Sequence, residues 1–331
     1  MMDLILTSAG SYPRIGETPE AQRHRRAYAQ RERGEISDVE WRAVEDEVAG
    51  QVVREQTAAG LDVVTDGQVR WYDPMSHIAR HCDGIQINGL LRYFDTNFYF
   101  RQPVVSGPIR RREPVLRREF EVARAATDRV VKPVLTGPYS LAQGSIIEGG
   151  YRTRRELARA YAEILAHEVA ELVHAGAAVI QVDEPYLLRH PEDAGLVREG
   201  LATLAAARGR AHLALYTFFG DALPLWDAIM AMPVDVVGLD LTYGPGLADR
   251  IGAAGAPRTL VLGLVDGRNT KLETRDGLFP VLDRALKGLR GPVALGPSCG
   301  LELLPRARAR AKLENMVALA REYTGQHGRT R

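Results

Sequence analysis

The chain has 331 residues, 45% of them hydrophobic and 26% charged, with a formal net charge of +1. That balance excludes an extended disordered polymer and leaves no global electrostatic drive toward nucleic acid. With only two cysteines, Cys82 and Cys299, a disulfide framework is excluded and a reducing compartment is favoured.

In chain order, eight short β-branched or apolar runs each end in a polar or glycine-rich cluster: DLILTSAG, LDVVTDG, VVKPVLTGP, AVIQVDEP, AHLALYTF, VDVVGLDL, TLVLGLVDG and PVALGPSCG. The first run is too short for a signal peptide or a membrane span, so a cytoplasmic chain without a membrane partner is expected. Between the runs lie helical patterns. Residues 39–59 read as a helix that ends at Gly60, and 153–175 as another that ends at Gly176. In the second, Thr153 and Glu156 have capping-box spacing, and Leu157, Tyr161, Ile164, Leu165, Leu172 and Val173 make an inward stripe.

Strands that are apolar throughout and alternate with helices predict a parallel sheet covered on both faces. Eight such units predict a (β/α)8 TIM barrel, one α/β domain over 1–325, with a short disordered tail at 326–331. An open doubly wound sheet ranks lower, because no G-x-G-x-x-G follows the first strand. Residues 69–129, rich in Arg and aromatic side chains, read as a long insertion after the second strand, in part a hairpin over the barrel mouth. The arginine clusters at 23–26, 110–112 and 306–310 read as solvated faces.

Chemistry in such a barrel gathers at the carboxyl ends of the strands. Those ends carry Ser11, Asp66 with Gln68, Asp183 with Glu184, Tyr216, Asp240, Asp266 with Arg268 and Asn269, and Cys299. About half of such residues are expected to cap the following helices. Alternation along the strand turns one of Asp183 and Glu184 inward, and Asp183 is assigned there with Arg268 or a ligand amine as its partner. Asp66, Asp240 and Asp266 add to an acidic field that Arg268 and Asn269 organise, while Ser11 and Gln68 are ligand hydrogen-bonders. Trp71, Tyr72, Tyr93 and Phe94 could stack on a flat ring. His77, His81 and Cys82 have metal-like spacing but more often belong to a short surface helix, and the rim offers only Cys299 as a soft ligand.

The segments GSYPRIG, RYFDTNFYFRQP, KPVLTGPYSL, IQVDEPYL, TFFG, GLDLTYG, LGLVDGRN and GPSCGLELLP resemble the cobalamin-independent methionine synthase family, in order and over most of the chain. The family's full-length enzyme contains two related barrels, and this chain is similar to the N-terminal type standing alone. The resemblance implies methyl transfer from methyltetrahydrofolate or another pterin to homocysteine. It also implies departures. Where the catalytic barrel carries His-x-Cys, this chain reads Ala214, Leu215, Tyr216; Asp240 replaces a glutamate and Gln68 replaces another; Cys299 alone persists among the zinc ligands. Zinc is therefore not expected on this chain. A separately encoded zinc-bearing barrel is the implied partner, with Asp183, Asp240 and Cys299 as this chain's catalytic candidates and Ser11, Asp66, Gln68, Glu184, Tyr216, Asp266, Arg268 and Asn269 as substrate-binding ones. An independent enzyme of the superfamily with other one-carbon or C–S chemistry, and a non-catalytic pterin or amino-acid binding module, are the alternatives.

Overall fold

The computed structural model describes residues 4–244 and 246–327. Its strands are β1 (Leu4–Leu6), β2 (Val63–Val64), β3 (Cys82–Arg92), β4 (Tyr99–Arg111), β5 (Val130–Val131), β6 (Val134–Thr136), β7 (Ile146–Ile147), β8 (Val179–Asp183), β9 (His212–Thr217), β10 (Val236–Asp240), β11 (Thr259–Val265) and β12 (Val293–Pro297). A seven-stranded sheet runs β1-β12-β11-β10-β9-β8-β6, every pair parallel. Two further contacts close it: β2 pairs with β5, and Thr7 bridges to Val63. β5 and β6 are one barrel strand interrupted at Lys132 and Pro133, where proline supplies no amide hydrogen for the ladder. The result is a closed eight-stranded (β/α)8 barrel, the fold expected from the run pattern.

Helix Asp38–Ala59 begins at a complete capping box, with Ser37 accepting from the Glu40 amide and Glu40 accepting from the Ser37 amide, and it stops at left-handed Gly60. Helix Arg154–His174 also starts with a side-chain cap, Thr153. Here the expected box is only half formed, because Glu156 turns to the amide of Arg152. Helix Arg306–His327 continues through Gln326 and His327, which sequence alone assigns to a disordered tail. Residues 328–331 of that tail lie outside the described residues.

Within 69–129, β3 and β4 form a long antiparallel hairpin, joined along one edge by β7. A short helix, Ser76–Ala79, precedes it and helix Leu116–Ala125 follows. The hairpin turn lays Tyr93 and Phe94 against Phe219 and Phe94 against Tyr186, which follow β9 and β8, with Phe98 packed on Tyr93. One apolar layer lies between the barrel wall and the helices. Another fills the barrel interior and continues into these aromatic rings, including Ala214, Tyr216, Val261, Ala294 and Cys299.

The interior is crowded around Tyr216. A Cβ at Gly238, one strand over, would fall 2.6 Å from its ring. Close-packed interiors do not absorb such an overlap without moving. We expect Gly238→Ala to cost about 1–3 kcal/mol, lowering Tm by several degrees in a thermal melt. An unchanged Tm would show that the Tyr216 ring can move freely.

Candidate active site

The strand ends build the mouth from the barrel outward. Within it, Lys132 is buried and donates from Nζ to the Ser8 carbonyl at 2.9 Å and to Tyr216 Oη at 2.8 Å. Burial pushes its ammonium down to about 7, with Asp183 pulling the other way. One layer higher, Asp183 faces inward and accepts from Gln181 Nε2 at 2.7 Å; the same amide donates to the Ala9 carbonyl. Burial pushes the Asp183 carboxyl up to about 7, opposed by the Gln181 hydrogen bond and Lys132. Its partners are therefore Gln181 and Lys132; Arg268 is engaged elsewhere.

Glu184 turns the other way. Its carboxylate accepts from the amides of Tyr139 and Ser140 and from the Ser140 hydroxyl, capping helix Pro138–Gly144. It is fully buried and bonded to that helix, on the opposite side of the strand end from Asp183. Asp66 is also turned away. It lies against Glu119 and Arg70 behind the barrel wall, where burial first and Glu119 second push it up to about 7. The acidic field of the mouth is thus narrower than four strand-end aspartates imply.

On the far side, Asp240 accepts from the Thr242 amide at 2.9 Å and leaves Oδ2 without a partner among the described residues. Asp266 is held by Arg268 Nε at 2.9 Å and by Asn269 Nδ2 at 2.6 Å, and Arg268 also donates to Thr242 Oγ1. Arg268 lies 4.1 Å from the centre of the Tyr243 ring. Cys299 is 0% exposed, and burial, with Glu302 and Asp240 nearby, raises its thiol well above the ordinary value. The thiolate is disfavoured there.

A cavity of about 270 Å³ at the mouth brings together Ser11, Gln68, Trp71, Tyr72, Phe98 and Glu302. Ser11 donates to Glu302, and burial raises the Glu302 carboxyl. Tyr93 and Phe94 roof the neighbouring interior; Trp71 instead stacks on His77 at 4.6 Å and donates to Glu119. Among the described residues, three other than glycine hold positive φ, namely Gln68 (52°), Phe94 (54°) and Phe219 (65°). All three sit around this mouth, and such backbone persists only where surrounding structure imposes it.

The His77, His81 and Cys82 cluster does not converge. His77 is buried on Glu119 at 2.9 Å, His81 reaches Glu113 at 3.3 Å, and the Cys82 thiol, pushed up to about 11 by burial, turns to the Ile78 carbonyl. Cys299 lies in the barrel interior, in a different apolar layer. Among the described residues no three His, Cys, Asp or Glu side chains are grouped to hold a metal ion. A catalytic zinc takes about three such ligands. One buried thiol among carboxylates does not fit it.

Lys132, Gln181, Glu302 and Glu119 escape the sequence reading. Lys132 has a visible signal, a lysine inside the apolar run VVKPVL, and Gln181 interrupts IQVD in the same way. Glu119, some forty residues past its partner His77, has none.

A parallel barrel with a polar mouth at the carboxyl ends of its strands is the arrangement of a (β/α)8 enzyme, and comparison with known proteins gives its family. Residues 4–322 match the family model described as "Cobalamin-independent synthase, Catalytic domain". The chain belongs to the cobalamin-independent methionine synthase family. It is 32% identical over 321 residues to the methionine synthase of Saccharolobus solfataricus, spanning 95% of this chain and 93% of that protein. The 5-methyltetrahydropteroyltriglutamate–homocysteine methyltransferase of Acidithiobacillus ferrooxidans is 28% identical over 97% of this chain but only 42% of its own length. In structure, the B12-independent methionine synthase of Shewanella sp. W3-18-1 superposes with a TM-score of 0.80 at 21% identity, over 99% of both chains. The matched model is described as the catalytic domain, whereas the motifs above resemble the N-terminal type. No helix among the described residues is long and apolar enough to cross a membrane.

The raised Asp183 carboxyl has a thermodynamic signature. Between its ordinary value of 3.8 and about 7, the folded chain holds a proton that the unfolded chain releases, so its contribution to stability falls as pH rises through that window. Lys132, lowered to about 7, titrates above the window. The Tm of Asp183→Asn minus that of the wild type should therefore widen steadily from about pH 4 to pH 7. A difference that stays constant would mean that Asp183 ionises like an exposed carboxylate.

Proposed function

We propose that this chain takes part in methyl transfer from a methylated pterin, or a related one-carbon donor, to homocysteine, and that a separately encoded zinc-bearing barrel activates the thiol. The observation that supports this reading is the donor set of the mouth: one buried thiol disfavoured as thiolate, carboxylates and, among the described residues lining the cavity there, no imidazole. A thiol acceptor reacts as thiolate, and around Cys299 burial, Glu302 and Asp240 outweigh Ser298 and Arg268 in disfavouring that charge.

What this chain contributes is binding and proton handling. Ser11 and Gln68 line the cavity at the mouth and present hydrogen-bonding groups to an amino-acid or pterin edge. Tyr93 and Phe94 offer ring faces above the interior, suited to a flat heterocycle. Asp183, Asp240 and the Asp266–Arg268–Asn269 cluster lie on the walls; Asp183, near neutrality, can hold or release a proton at working pH.

A second reading has its own support. Archaeal relatives that this chain matches over nine-tenths of their length, 93% for the Saccharolobus solfataricus protein, carry the name methionine synthase. In that reading the single barrel acts alone, with Asp183 as the base.

Methionine formation from homocysteine and methyltetrahydrofolate separates the two. The purified chain alone should remain at background, and adding the zinc-bearing barrel should restore turnover that Asp183→Asn lowers by about 100-fold. Turnover by the chain alone, abolished in Asp183→Asn, would replace the first reading with the second.

A further inference from the structure

Beside the mouth, a cavity of about 590 Å³ opens between helix Arg23–Glu32, the start of helix Asp38–Ala59 and the segment around the short helix Ser76–Ala79. Arg14, Arg25, Arg42, Arg70, Arg80 and Arg101 line it. Its carboxylates are mostly engaged: Asp38 by Arg31, Glu113 by His81, and Glu119 by His77 and Trp71. Glu45, the fourth, is pushed up to about 7 by burial. Positive charge is in excess.

The guanidiniums are not used up by the protein. Among the described residues Arg14, Arg25, Arg42, Arg80 and Arg101 form no ion pair, and Arg14 donates only to the carbonyls of Val69 and Trp71. Arg70 is buried, bonded to Asp46 through Nη2 and flanked by Glu119 and Asp66, so its charge is met within the protein. The unmet cations of the cavity are the other five. Arg101 and Arg80 sit 4.4 and 5.3 Å from the centre of the Tyr72 ring, which fixes them before any ligand arrives.

We propose that this cavity is a second ligand site, for a small phosphate-bearing polyanion held by Arg80 and Arg101 with Arg14, Arg25 and Arg42 around it. The volume suits a small metabolite. Phosphate is favoured over carboxylate because the cations come from several elements and several directions. A tetrahedral phosphate accepts from all of them, whereas one planar carboxylate satisfies a single fork. The site shares Arg14, Ile15 and Tyr72 with the smaller cavity at the mouth, so its occupant borders the candidate active site. The assignment does not depend on methyl transfer.

Calorimetric titration of the full chain with pyrophosphate at low ionic strength tests it. Saturable one-to-one binding is expected, weakening with added salt, and weaker by about tenfold or more in Arg80→Gln/Arg101→Gln. Arg308→Gln, in the last helix, should bind like the wild type. If the first double variant fails to fold, the exposed pair Arg25→Gln/Arg42→Gln should still weaken binding, by about threefold. Tighter binding of citrate than of pyrophosphate would overturn the phosphate assignment. Absence of saturable binding, or binding indifferent to both double variants, would overturn the site.

Discussion

Everything at the mouth depends on one buried contact, the Lys132 ammonium seated between the Ser8 carbonyl and Tyr216 Oη beneath Asp183. An isolated charge in a barrel interior is expensive, and the nearby Asp183 carboxylate offsets part of that cost. The contact ties the first, third and fifth barrel strands together through side chains. Burial pushes the carboxyls of Asp183 and Glu302 above it toward their protonated forms, and Lys132 opposes that push at Asp183 as Arg14 does at Glu302.

That environment explains the state of Cys299. A thiolate needs a nearby cation, a metal or a helix N-terminus, and Cys299 is buried beside Glu302 and Asp240. Arg268 is the nearest strong cation in the same rim, and Asp266 and Thr242 occupy its donors. The chemistry compatible with this mouth is binding, orientation and proton exchange at Asp183. In the proposed reading, sulfur activation draws on ligands from elsewhere.

Much of the fold is legible in the sequence because buried parallel strands leave a strong trace. Every barrel strand coincides with one of the apolar runs, and Gly60 and Gly176 end their helices in the left-handed conformation the pattern requires. The site is less legible, for a geometric reason. Strand alternation shows that Asp183 and Glu184 must part, but the helix amides that claim Glu184 belong to Tyr139 and Ser140, far away in sequence. Asp66 looks like a rim residue until the helix Leu116–Ala125 brings Glu119 behind the wall. Partners separated by tens of residues leave no periodic signal, so the chemistry of a strand end can be read while its direction cannot. The arginines at 23–26, read from sequence as a solvated face, show the same limit: Arg25 lines a cavity only because residues from the insertion close its other side.

The central claim is that this chain lacks the soft ligands for a thiol-activating metal. Calorimetric titration of zinc into the purified chain in the presence of homocysteine tests it most directly. The account predicts no site tighter than about micromolar, with wild type and Cys299→Ser alike. A stoichiometric nanomolar site that disappears in Cys299→Ser would contradict it.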